Sequence, residues 1–75
     1  MQVRVKLMGR LQAGTPAGGT ITVADGATVA DVLRELAIAP EAAQVVTVNG
    51  RFERDHTRSL AAGDELIVVP PVGGG

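Results

Sequence analysis

Seventy-five residues suffice for one small domain with a marginal core and leave no room for a second. The chain holds no cysteine, which excludes disulfides, thiolate metal sites and cysteine nucleophiles and points to the cytoplasm. A formal net charge of -1 with scattered basic residues gives no one-signed field, and Phe52 as the single aromatic residue gives no stacking platform, so nucleic acid is not an expected partner. Residues 1–8 alternate charged and apolar side chains, and no apolar run approaches membrane-spanning length, so neither a secretion signal nor a membrane partner is expected.

In Gln2 to Met8 the alternation puts Val3, Val5 and Leu7 on one face and Gln2, Arg4, Lys6 and Met8 on the other, the pattern of a strand buried on one side. A loop rich in Gly, Pro and Thr follows over residues 9–19. Thr20 to Val23 alternates again and suits the second arm of a hairpin, with Asp25-Gly26 as the next turn.

Thr28 stands where a helix N-cap belongs, with Asp31 three residues on as its reciprocal partner. Val29, Val32, Leu33 and Leu36 then make one apolar face and Asp31, Arg34 and Glu35 the solvent side. Pro40 disfavours helical geometry at Ala39, which predicts a helix end near residues 37–39.

Val45 to Val48 reads as a third strand. Asn49-Gly50, a dipeptide suited to positive φ angles, turns it into Arg51-Phe52-Glu53. A looser polar segment runs over residues 54–59, Leu60 anchors it, and Gly63-Asp64 turns the chain into a last strand, Glu65 to Val69. That strand is apolar without alternation, which predicts burial on both faces in the middle of the sheet. With the last strand beside the first, the crossover rules give a parallel central pair and a helix on one face of a mixed sheet.

The chain closes on Pro70-Pro71-Val72-Gly73-Gly74-Gly75. Three glycines cost the most backbone order and add nothing to a core. A frayed end or leftover linker would account for them. The two prolines argue otherwise, since they hold the stem extended. At about 3.3 to 3.6 Å per residue, residues 70–75 could reach roughly 20 Å from the sheet and enter a narrow cleft. The reactive group so presented is the terminal carboxyl of Gly75. An ionised carboxylate is a poor electrophile until activated. The chain holds no phosphate-binding loop and no metal-ligand cluster, so activation falls to a partner.

Gly63-Asp64-Glu65-Leu66, the apolar strand after it, and Pro70-Pro71-Val72 before Gly74-Gly75 resemble the MoaD/ThiS family of ubiquitin-like sulfur carriers. Thr28 to Leu33 and the Val48-Asn49-Gly50 turn extend the resemblance over nearly the whole chain. It implies an α+β fold of the β-grasp type: a mixed sheet of about five strands, one main helix packed on one face, and a flexible glycine tail. The expected organisation is a domain over residues 1–69 and an extended tail over 70–75.

The resemblance also implies a chemistry. An E1-like adenylating enzyme would activate the Gly75 carboxylate with ATP and magnesium, and a persulfide donor would convert it to a thiocarboxylate. An acceptor such as the large subunit of molybdopterin synthase would take the sulfur. The chain itself would bind no cofactor and no metal and would be a carrier, not an enzyme. Gly73 and Gly74 would form the side-chain-free tail, and Phe52, Val68, Pro71 and Val72 would contact the partner. For Phe52 and Val68 ordinary packing is the preferred account, since apolar strand residues usually pack. Pro71 and Val72 stand too near the free end for that.

Arg10 falls where members of the molybdopterin branch often carry a partner-contacting basic residue, although a solvated loop arginine worth little is the preferred account. His56 lacks a ligand-spaced companion and is assigned no role. The sequence departs from the family in its third glycine, Gly73, and in mixing branch features. Pro70-Pro71-Val72 looks like the molybdopterin branch, whereas Asn49-Gly50-Arg51 and Arg54-Asp55-His56 look like the thiamine branch; the former is preferred. Other readings are a sulfur carrier for thiamine thiazole, a ubiquitin-like protein modifier, and a β-grasp interaction module with an inert tail.

Overall fold

The computed structural model describes residues 1–72. Five strands form one mixed sheet: β1 (Gln2–Leu7), β2 (Thr20–Thr22), β3 (Val45–Val48), β4 (Arg51–Phe52) and β5 (Glu65–Val69). Their order is β2-β1-β5-β3-β4, with β1 and β5 parallel and the other pairs antiparallel. One helix, α1 (Val29–Glu35), connects the two hairpins. The expected β-grasp arrangement, with β5 at the centre, is therefore present.

Strand alternation builds the core. Val3, Val5 and Leu7 from β1, Val46 and Val48 from β3, and Leu66 and Val68 from β5 join Val29, Val32 and Leu33 of α1 in one buried cluster. Leu60 is also buried there, and its N–H donates to the Ala27 carbonyl at 2.8 Å, so it anchors the segment before β5.

A seven-residue helix has too few internal bonds to persist alone, so its ends decide whether it forms. At the start, Asp31 N–H donates to Thr28 Oγ1 at 3.2 Å and Thr28 N–H to Asp31 Oδ2 at 2.9 Å, the expected capping box. The N–H groups of Val29 and Ala30 donate to the Arg58 and His56 carbonyls at 3.1 and 2.8 Å. The polar segment before β5 thus completes the cap, and a 2.8 Å salt bridge from Arg58 to Glu53 braces it.

The helix ends at Glu35, earlier than Pro40 predicts. Ile38 N–H donates to the Leu33 carbonyl at 2.9 Å and Ala37 N–H to the Arg34 carbonyl at 3.0 Å, a Schellman termination with buried Ile38 and Leu33 as its apolar pair. It puts Ala37 at φ 57, a left-handed conformation in which a Cβ is unfavourable. Ala37→Gly is therefore expected to raise stability by about 0.5 to 1 kcal/mol, the relieved strain exceeding the added freedom of the unfolded chain. A thermal midpoint a few degrees higher would show it.

Three further features differ from expectation. The loop after β1 contains two 3-10 segments, Gly9–Gly14 and Ala17–Gly19, and a third spans Pro40–Ala42. Strand β5 is not covered on both faces: Leu66 and Val68 are buried, whereas Glu65, Ile67 and Val69 are only half-buried. Finally, Pro70, expected to open the projecting stem, is buried.

Candidate functional site: the open sheet face and the tail stem

Helix α1 covers one side of the sheet, and the outward positions on the other side are fixed by register. Thr47 of β3 lies opposite both Phe52 of β4 and Ile67 of β5, and Val45 lies opposite Val69. Lys6 of β1 is in register with Ile67, and Arg4 with Glu65. The face therefore has an apolar half made by Phe52, Ile67, Val69 and Val45, and a charged half where Arg4 meets Glu65 at 3.8 Å. Phe52 is 79% exposed, an unusual position for the only aromatic side chain.

The exit of the chain borders the same face. Strand β5 runs into Pro70, which is buried, then Pro71, which is half-buried, then Val72, which is 93% exposed. The chain thus leaves the body within two residues. Gly9 and Arg10 flank this stem in a shallow groove shared with Val69, Pro70 and Pro71. Arg10 is exposed.

Two turns are tied together at the start of β5. Asn49 Nδ2 donates to Asp64 Oδ1 at 3.0 Å, Glu65 N–H donates to Asn49 Oδ1 at 2.9 Å, and Ala61 N–H donates to Asp64 Oδ2 at 2.8 Å. Asn49 holds φ 54, a left-handed conformation that asparagine tolerates. The Asn49-Gly50 and Gly63-Asp64 motifs are thus two halves of one clamp that sets where β5 begins and hence where it ends.

The Ala61 N–H and the Asn49 amide hold the Asp64 carboxyl below its ordinary range. Asp31, Glu53 and Asp55 are lowered as well, chiefly by Thr28, Arg58 and Thr57 respectively. A carboxyl whose folded pKa is depressed contributes fully above its unfolded pKa, and the contribution is lost as pH falls through the folded value. Stability is therefore expected to be flat above about pH 5 and to decline below about pH 4. Thermal melts against pH would show this, with a shallower decline in Asp64→Asn.

Of the residues expected to meet a partner, Phe52 and Val72 are exposed and Pro71 half-buried. For Val68 the preferred packing account is what the structure shows, and the partner-contact alternative is not available to its side chain: it is 0% exposed, in register with Val46 on the helix-covered side. The surface expected of it is presented instead by its neighbours Ile67 and Val69. For Phe52 the opposite holds, since ordinary packing does not describe it. Gly73, Gly74 and Gly75 lie outside the described residues. His56 is half-buried and contributes its carbonyl to the helix cap.

The model of the ThiS family matches residues 5–75, nearly the whole length and as far as the last glycine. The chain belongs to the ThiS family. Among solved structures it is similar to small archaeal modifier protein 1 of Haloferax volcanii at 27% identity, over 95% of this chain and 98% of that one, with a TM-score of 0.72. It is also similar to a protein of Pyrococcus furiosus provisionally named molybdopterin converting factor, subunit 1: 28% identity, 96% and 99% of the two chains, TM-score 0.73. A complex of subunits 1 and 2 of molybdopterin-converting factor from Helicobacter pylori matches at 18% identity over 100% of both chains, with a TM-score of 0.61, and shows the shared fold alone. No curated protein sequence gives a significant match. Among the described residues no helix of this ThiS-family chain is long and apolar enough to cross a membrane.

Proposed function

We propose that this ThiS-family chain is a sulfur carrier whose working atom is the carboxyl carbon of Gly75. The observation that carries the proposal is the abrupt exit after a buried Pro70, to a Val72 that is 93% exposed, beside an apolar sheet face topped by Phe52. From Pro71 to Gly75, five residues at about 3.3 to 3.6 Å each reach roughly 17 Å, enough to thread a partner's active site while the body stays outside.

In this reading a Gly75 carboxylate oxygen attacks the α-phosphorus of ATP, held with magnesium by an E1-like adenylating enzyme, and pyrophosphate leaves. A persulfide sulfur then displaces AMP from the acyl carbon, and thiol reduction of the resulting acyl disulfide leaves a thiocarboxylate on Gly75. The carrier contributes no catalytic group and binds no cofactor; it presents and docks. Ordering three glycines costs roughly 3 to 6 kcal/mol with no side chains to offset it. Burying the exposed Phe52 ring recovers about 1.5 to 3 kcal/mol, so the apolar half of the sheet supplies a large part of the docking energy.

The favoured destination is molybdopterin biosynthesis, with the large subunit of molybdopterin synthase as acceptor. It rests on the Pro70-Pro71-Val72 stem and on the similarity to the Pyrococcus furiosus protein. Thiamine thiazole synthesis is the alternative within the same chemistry. Similarity to small archaeal modifier protein 1 favours a second reading, in which the same acyl adenylate is passed to lysines of target proteins.

The deciding experiment supplies the chain with an adenylating enzyme, ATP, magnesium and a persulfide donor, then weighs it intact. A gain equal to the difference between a sulfur and an oxygen atom is expected. An unchanged mass with an enzyme competent on its own carrier would reject the proposal. Isopeptide adducts in extracts that vanish when Gly75 is deleted would establish the second reading.

A further inference from the structure

Resting on the carrier reading, which needs the tail aimed as well as exposed, we propose that Gly9 is a positioning residue for the tail. It sits at φ +55, and a Cβ built on it would stand 3.1 Å from Pro70 Cγ and 3.6 Å from Pro70 Cδ. The space that a side chain would fill is thus taken by the Pro70 ring, which is buried there. A Cβ contact of 3.1 Å is tighter than nine in ten of those in folded proteins, so a side chain at position 9 requires the ring to give by a few tenths of an ångström.

The seat is held from both sides. Met8 N–H donates to the Val68 carbonyl at 3.0 Å, which extends the β1–β5 ladder to the residue before Gly9. Leu11 N–H donates to the Met8 carbonyl at 3.1 Å and opens the 3-10 segment, so the backbone around Gly9 is fixed.

Displacement of the ring is transmitted outward because the stem is stiff. Pro70 disfavours helical geometry at Val69, Pro71 does the same at Pro70, and both prolines have fixed φ. A small rotation at Pro70 is therefore carried to Val72 and swings the direction in which the glycines depart. The direction set at Val72 decides how readily the following glycines start toward a partner's cleft, and activation rates are sensitive to such placement.

The test uses the full chain with Gly9→Asn, Pro70→Ala and the double variant. Asparagine tolerates the left-handed region, so Gly9→Asn adds a Cβ against Pro70 with little backbone strain, and Pro70→Ala removes the ring atoms it would strike. Two readouts are taken. The 15N heteronuclear NOE of the Val72 amide, with the thermal midpoint, needs no partner; kcat and KM for adenylation use the E1-like enzyme with ATP and magnesium. Gly9→Asn is expected to lower the Val72 NOE and to reduce kcat about tenfold with KM for the carrier little changed, since the docking face is untouched. In Pro70→Ala, where the seat is already vacated, adding Gly9→Asn should change neither readout further.

The proposal is overturned by a Gly9→Asn chain with wild-type NOE and kcat, by effects of the two changes that simply add, or by losses that follow only the unfolded fraction. A wild-type chain that the enzyme never adenylates would reject the carrier reading instead, and the NOE arm of the cycle would still decide whether Gly9 seats the stem.

Discussion

Removing Gly74 and Gly75 is expected to abolish thiocarboxylate formation while leaving the thermal midpoint within about a degree of the intact chain. Among the described residues, every strand pairing and every buried core residue falls within residues 2–69, and the last buried residue is Pro70. Those pairings and that core are made by residues well before the final two. Chemistry at Gly75, by contrast, depends wholly on them. Truncation shortens the reach by about 7 Å and replaces the acyl terminus with that of Gly73, which cannot extend to the same point in a partner's cleft. Intact mass after incubation with the adenylating enzyme, ATP and a persulfide donor measures the first effect; a melt measures the second. A truncated chain that still gains sulfur would place the reacting carboxyl elsewhere and sink the carrier mechanism, whereas one that unfolds would show that the last glycines belong to the body.

Much of this architecture is legible because it is written in local chemistry. The Val3, Val5, Leu7 alternation needs only the pleat of a strand, the Thr28 and Asp31 cap only one turn of helix, and Asn49-Gly50 only the positive φ angles of a tight turn. What escapes local reading depends on residues far apart. The early end of α1 rests on Ala37 accepting a left-handed φ without being glycine, a choice made by burial of Ile38 against Leu33. The 3-10 segments carry no helical period over so few residues. An apolar run such as Leu66 to Val69 has the composition of a strand covered on both sides, but one helix covers only one face of this sheet. Ile67 and Val69 are left to the other.

The same physics separates the two motifs around β5 from their meaning. Asn49-Gly50 and Gly63-Asp64 are visible as turns, but the hydrogen bonds joining Asn49 to Asp64 and Glu65 span 15 and 16 residues and appear only when β3 and β5 pair. Pro70 likewise reads as part of a free stem until Gly9, in the 3-10 segment just after β1, is brought beside it. Long-range pairing thus converts conformational motifs into a device that fixes where the tail begins.

Phe52 and Val68 provide the sharpest test of that device, because both are apolar strand residues and pairing register alone assigns them opposite duties. Phe52→Asp is expected to fold with an unchanged melting midpoint and to lose about 30-fold or more in affinity for the activating enzyme, the penalty typical of an aromatic anchor lost from an interface. Its side chain is 79% exposed, so a carboxylate there stays hydrated in the free chain and is harmful only when a partner must cover it. Val68→Asp is expected not to fold at all. That position is 0% exposed among Val46, Leu66 and the residues of α1, and a lone carboxylate there costs several kcal/mol of the roughly 5 to 15 kcal/mol that hold such a domain together. Circular dichroism melts and KM for adenylation measured on both variants separate the two outcomes. Phe52→Asp with wild-type KM would remove the open sheet face from the docking surface, and a folded Val68→Asp would mean that β5 can slip its register and turn its other face to the core.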